Sequence, residues 1–163
     1  MEPVNPEVGG IELEPGEQVM VVNPEKMELL AQRASGAGWI RIVGILAVVN
    51  SILIVVGADL QFIFGLGITT IVTAVAQAAE AGVIGSAIAL GFTLIGCAGA
   101  LFFASFAERG YAWAFVVAMV LYALDGALWL VFSDWIEVIA HSYAIYRMYL
   151  GLAADKELKS RFA

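Results

Sequence analysis

The chain has 163 residues, of which 61% are hydrophobic and 14% are charged, and its mean hydropathy is +0.89. Soluble domains contain about 45–50% apolar and roughly 25% charged residues, so this composition excludes an ordinary soluble domain and indicates an integral membrane protein. The net charge of −7 does not indicate a nucleic-acid partner, since seven of the fifteen acidic residues lie in residues 1–28 and there is no basic patch. The single cysteine, Cys97, excludes an intrachain disulfide and a multi-cysteine metal site.

Residues 1–35 are predicted to form an acidic cytoplasmic tail. This segment is rich in Glu and Pro and lacks the basic and apolar regions of a signal peptide. Asn23 is a favourable N-cap residue and Pro24 suits the first helical position. We therefore expect a short helix near residues 24–34, lying on the inner membrane surface.

The rest of the chain is dominated by apolar segments long enough to cross a bilayer, which requires about 17–25 residues. If all five crossed, the eight Lys and Arg residues would be split between the two sides, whereas four crossings place all eight on one side. The positive-inside rule favours the second arrangement. The five segments are 38–57, 62–79, 82–106, 111–132 and 135–153.

The predicted fold class is therefore an all-α integral membrane protein with four transmembrane helices in an antiparallel bundle. The transmembrane domain covers residues 38–153, and residues 154–163 form a basic cytoplasmic tail. With this charge distribution, the chain is expected in the cytoplasmic (inner) membrane with both termini in the cytoplasm.

The second apolar segment differs from the others because it carries a polar stripe. Its glycines, Gly65 and Gly67, interrupt the start of the helix. Such a segment can lie in the interface or enter the bilayer partway, so we predict an amphipathic or re-entrant helix on the outer face between spans one and two. The alternative is a fifth span whose Thr hydroxyls bond to its own backbone. The stripe consists of Thr69, Thr73, Gln77 and Glu80.

The third segment is rich in small residues at spacings that let helix backbones approach closely in lipid. It is predicted to be either the central helix of its own bundle or a contact surface for a second copy or a partner subunit. These residues are Gly85, Ala87, Ala89, Gly91, Gly96, Ala100 and Ala104.

Aromatic residues at the predicted span ends are expected to act as interfacial anchors. Arg147, near the cytoplasmic end of the last span, has a side chain long enough to reach the headgroups. The aromatic anchors are Trp39, Tyr111, Trp113 and Trp135.

Asp125 and His141, the only histidine, lie about equally far from the turn that joins the last two segments. At a helical rise of ~1.5 Å per residue, both residues are expected roughly 11–12 Å below the outer boundary of the membrane. Because helices joined by a short turn are neighbours, a contact between Asp125 and His141 is expected. Pairing would reduce the cost of a carboxylate at membrane depth, which is ~3 kcal/mol on insertion scales.

Three further residues extend this polar layer. Asn50 precedes the outer end of span one by a similar distance, Glu137 lies one turn above His141, and Tyr122 shares a helical face with Asp125. The layer has three interpretations: a hydrogen-bonded clip that fixes helix register, a proton or ion relay, and a metal or haem site at His141. One histidine with two carboxylates is a poor ligand set for zinc, and no metal or cofactor is expected.

No catalytic motif is present, and the leading hypothesis is a non-catalytic accessory or scaffold subunit of a membrane complex. Its partners would be the lipid bilayer and either further copies or larger subunits, with no nucleic acid. The alternative is a small proton-coupled transporter or carrier that uses the layer of Asp125, His141 and Asn50. A third class is a membrane enzyme acting on a lipid or quinone bound near His141.

Overall fold

The computed structural model describes residues 23–58, 62, 64–80 and 82–162. Of the acidic tail predicted for residues 1–35, residues 1–22 lie outside this part of the chain. Within it the protein is all-helical, as expected. The helices are α1 (Pro24–Val55), α2 (Gly67–Ala78), α3 (Gly82–Glu108), α4 (Ala112–Val131) and α5 (Trp135–Phe162).

Three helices, α1, α3 and α4, are long and apolar enough to cross a membrane, which is consistent with a helical membrane protein. Helix α5, predicted as the last span, is not among these three. Its first half is less apolar because it contains Glu137, His141 and Arg147. We call the end of the molecule that carries Pro24 and Phe162 the terminal end, and the opposite end the distal end.

The start of α1 follows from its capping sequence. Asn23 Oδ1 accepts hydrogen bonds from the backbone N–H groups of Glu25, at 3.0 Å, and Lys26, at 3.3 Å. Pro24 occupies the first helical position, where its missing N–H would have had no partner. The helix expected near residues 24–34 is therefore present, but it continues into the first apolar segment as one helix of 32 residues.

Helices α1 and α5 cross at a pair of glycines near the terminal end. A Cβ atom placed on Gly36 would lie 2.6 Å from the Cα of Gly151, and one placed on Gly151 would lie 2.8 Å from the Cα of Gly36. Beyond this crossing, Leu29 of α1 packs with Ala154 and Leu158 of α5. Residues 154–162, expected as a tail, are thus the helical end of α5.

Helix α2 has 12 residues and is ~18 Å long, too short to cross a hydrocarbon core of about 30 Å. Its polar stripe is divided between two environments, because Gln77 and Glu80 are exposed whereas Thr69 and Thr73 are buried. Thr69 and Thr73 are only 1% and 0% exposed, and Thr73 contacts Ser51 of α1. Hydroxyl groups surrounded by apolar atoms need partners, and these side chains find them mainly in the preceding backbone. Thr69 Oγ1 donates to the Leu66 backbone oxygen at 2.6 Å, and Thr73 Oγ1 donates to the Thr69 backbone oxygen at 2.8 Å.

The small residues of α3 divide between two environments. Ala89 and Ala104 are buried, and Ala100 faces Gly44 of α1, whose added Cβ would lie 2.6 Å from the Cβ of Ala100. Part of the small-residue pattern, including Ala100, therefore lies in the contact with α1. Ala87 is exposed, Gly91 has open space around it, Gly85 is half-buried and Gly96 faces Leu66.

The predicted anchors also occupy two kinds of position. Tyr111, Trp113 and Trp135 are exposed at helix ends. Trp39 instead packs edge-on against Phe64, with the ring centroids 5.5 Å apart, and against Tyr143, at 5.4 Å. Arg147 lies over the Trp39 ring and donates a hydrogen bond to Ser35 Oγ at 3.0 Å, so its guanidinium is held by α1.

Candidate functional site

Asp125 holds the N-terminus of α2. Its Oδ2 accepts a hydrogen bond from the Gly67 N–H at 2.6 Å, and its Oδ1 accepts one from the Ile68 N–H at 2.8 Å. Leu66, the N-cap residue of α2, has no side-chain oxygen to cap the helix, so Asp125 supplies the cap from α4. A carboxylate is favoured at this place because the N-terminus of a helix carries partial positive charge.

His141 completes the hydrogen bonding of Asp125. Its Nε2 lies 3.0 Å from Asp125 Oδ2, and its Nδ1 lies 2.8 Å from the backbone oxygen of Glu137. Both partners are oxygen atoms that accept hydrogen bonds, so each ring nitrogen faces an acceptor. The Asp125 carboxylate then receives three hydrogen bonds, and His141, at 2% exposed, has a partner for each ring nitrogen.

Two neighbours in α4 shape the space around His141. The Tyr122 ring stacks on the imidazole with the centroids 4.2 Å apart and the planes 20° from parallel. A Cβ atom on Gly126 would lie 2.9 Å from the Cβ of His141, so a larger residue there would force α4 and α5 apart. The structure thus brings Asp125, His141 and Tyr122 together in one buried group.

Asn50 does not bond to Asp125 or His141, as a shared polar layer would require. Instead its Nδ2 donates to the Phe62 backbone oxygen at 2.6 Å, and its Oδ1 accepts from the Phe62 N–H at 2.7 Å. Tyr122 Oη donates to the backbone oxygen of Phe64 at 3.4 Å. The physical reason is that the backbone preceding α2 enters the bundle without helical hydrogen bonds, and these side chains provide the partners that it lacks.

Glu137 lies on the distal side of His141. Its Oε2 is 3.9 Å from His141 Nδ1, and its side chain is 18% exposed. Glu137 also lines a polar cavity of about 10 Å³ together with Asn50, Thr70 and Trp129. Among the predicted polar residues, it is the one that stands between the buried group and the distal surface.

A second polar cluster joins α1, α2 and α3 and was not singled out from the sequence. Ser51 Oγ lies 2.8 Å from Thr93 Oγ1, and Thr73 Oγ1 lies 3.4 Å from Ser51 Oγ. All three side chains are fully buried. The signal available in the sequence was weak: Ser51 and Thr93 lie within apolar segments, where a hydroxyl residue more often bonds to its own helix.

Charged residues at the terminal end pair with one another. The fully buried carboxylate of Asp155 contacts Arg33 at 3.4 Å and Lys159 at 2.6 Å, and Arg41 contacts Glu108 at 2.5 Å. A buried carboxylate needs such partners. These contacts fix α1 against α3 and α5 at the terminal end.

A groove of about 300 Å³ runs between α3 and α4, with Ile40 and Val43 of α1 as its floor. Its walls are almost entirely apolar, and Gly99 leaves open space where a side chain would project. Asp125 and Tyr122 are the polar residues that reach it. The groove is therefore a place where an apolar partner could pack against the bundle.

Within the described ranges, no group of three or more His, Cys, Asp or Glu residues is placed to hold a metal ion. Comparison of the chain with known protein families, curated proteins and solved structures gives no match.

Proposed function

We propose that this chain is a small non-catalytic membrane protein that serves as an accessory or scaffold subunit of a membrane complex. The observation that carries the proposal is the set of groups that bind the Asp125 carboxylate. Both of its oxygens are occupied by the N-terminus of α2 and by His141, so this buried acid–base pair is committed to holding α2 in place.

The topology that accompanies this proposal has four spans, α1, α3, α4 and α5, in an antiparallel bundle, with α2 as a re-entrant half-helix. Irregular backbone at membrane depth is tolerated where protein surrounds it, and the bonds from Asn50 and Tyr122 to the segment before α2 meet that condition. The positive-inside rule then assigns the terminal end to the cytoplasmic side of the inner membrane. This assignment is supported by the location of all eight Lys and Arg residues outside α2 and its flanking segments.

The surface proposed for assembly is the groove between α3 and α4. Its small residues, among them Gly96, Gly99 and Ala118, would let a helix of a larger subunit, or of a second copy, approach closely, which is how helices associate in lipid. The α3 side chains beside it are strongly exposed, for example Ile95 at 73%.

The test fills the groove without disturbing the bundle. Gly99→Leu places a side chain in the groove, whereas Gly91→Leu places the same side chain on the same helix outside it; neither position has an atom within 4 Å of an added Cβ. We expect native mass spectra of protein extracted from its own membrane to show the wild type and Gly91→Leu in a complex and Gly99→Leu without its partner. A wild-type protein that emerges as a lone monomer would contradict the proposal.

A small proton-coupled carrier is the second candidate, favoured by the position of Glu137 between the distal surface and His141. We expect liposomes that contain the purified protein to show no proton flux above empty liposomes when an internal pH-sensitive dye is monitored. A flux that is present in the wild type and lost in Glu137→Gln would replace the scaffold proposal with the carrier. Glu137→Gln is a suitable probe because it keeps the side-chain shape and removes the ionisable group.

A further inference from the structure

Trp129 carries a buried hydrogen-bond donor with no partner. Its Nε1 is the one buried side-chain nitrogen or oxygen, among the residues that the structure describes, without a hydrogen-bond partner. A buried donor left unsatisfied destabilises the folded state, and each such group in a folded protein calls for an explanation. The backbone at the start of α2 lies close to Trp129 Nε1, since a Cβ added to Gly67 would collide with this atom.

The surroundings of this donor are polar. Trp129 lines the cavity of about 10 Å³ that also includes Asn50, Thr70 and Glu137. A cavity of roughly 10–15 Å³ holds one water molecule when two to four polar groups can bond to it. Asn50 already bonds to Phe62 through both side-chain atoms. The Glu137 carboxylate and the Thr70 hydroxyl, which makes only a long 3.5 Å bond to Leu66, supply the remaining acceptors.

We propose that this cavity is a binding site for a single ordered water molecule, which accepts a hydrogen bond from Trp129 Nε1 and donates to the Glu137 carboxylate and the Thr70 hydroxyl. The ligand is water rather than a metal cation because the indole N–H requires an acceptor, and a cation cannot accept. The three partners lie on α4, α5 and α2, so the water joins the half-helix to the last two helices on the distal side of His141. The inference is independent of the scaffold proposal.

The first test observes the water directly. The chain has four tryptophans, so ¹⁵N-tryptophan labelling of the full chain in detergent micelles gives four indole signals, and Trp129→Phe identifies the signal of Trp129. We expect a rotating-frame Overhauser contact between the Trp129 N–H and a long-lived water. Trp135, which is 65% exposed, is the control and should show only rapid exchange with the solvent. A Trp129 signal without any contact to water would overturn the proposal.

The second test removes only the donor. Benzothienylalanine replaces the indole N–H with sulfur and keeps the two-ring shape. Substituted at Trp129, it is expected to lower the Tm by a few degrees, because the water loses a partner; the same substitution at Trp135 should leave the Tm unchanged. If no water were bound, removal of an unsatisfied donor would leave the Tm unchanged or raise it, and that result would contradict the proposal even when the NMR signal is weak.

Discussion

Replacement of Asp125 with alanine is expected to lower the free energy of unfolding by at least about 3 kcal/mol, because each buried hydrogen-bond donor left without an acceptor costs about 1–3 kcal/mol. The substitution leaves three donors without an acceptor: the N–H groups of Gly67 and Ile68 and the Nε2 of His141. The measurement is reversible unfolding in mixed micelles, followed by tryptophan fluorescence.

The matched control is Leu124→Ala, one residue earlier in α4, where the side chain is 63% exposed and little stability should be lost. Asp125→Asn should fall between the two, because an amide retains one oxygen but turns an N–H₂ group toward a donor. If Asp125→Ala were as stable as Leu124→Ala, the capping role assigned to Asp125 would be wrong.

Replacement of Gly36 with alanine is the second substitution with a large expected effect. The added Cβ would lie 2.6 Å from the Cα of Gly151 and 2.9 Å from its N. These are backbone atoms, so α1 and α5 must separate. Overpacking of this kind typically costs about 1–3 kcal/mol, and the same unfolding measurement should show a loss in this range.

Gly38, two residues further along the same helix, provides the comparison. No atom lies within 4 Å of a Cβ added there, and alanine is favoured over glycine in a helix by about 1 kcal/mol. Gly38→Ala should therefore leave the stability unchanged or raise it. Equal losses in both variants would show that the glycine crossing does not determine how α1 and α5 pack.

The sequence was sufficient to predict the contact between Asp125 and His141, because a short turn with similar numbers of residues on either side places them at one depth. It was not sufficient to predict what Asp125 binds. The start of α2 lacks a capping side chain at Leu66, but nothing in the local pattern indicates which helix provides the missing acceptor. Asn50 illustrates the same limit, since it was predicted to share a layer with Asp125 and His141, whereas its partner is the backbone of Phe62.

The patterns of small and polar residues predicted that the helices contact one another. They did not predict which face of each helix makes the contact. The small residues of α3 read as one packing surface, whereas Ala89 and Ala104 are buried and Ala87 is exposed. The stripe with Thr69 and Thr73 predicted a helix in the interface or partway into the bilayer, but amphipathicity alone does not distinguish solvent from a polar interior. In each case the environment is set by helices that are distant in sequence.

The dependence of α2 on Asp125 has a consequence for biogenesis. The Gly67 N–H and its acceptor are 58 residues apart, and a ribosome produces the chain from its N-terminus. When residues 62–78 leave the ribosome, the carboxylate that will cap them has not yet been made, and a nascent chain that ends before α4 contains no other residue in this role. Helix α2 can therefore gain this cap only after α4 has been synthesised, so its final placement in the bundle follows the synthesis of α4.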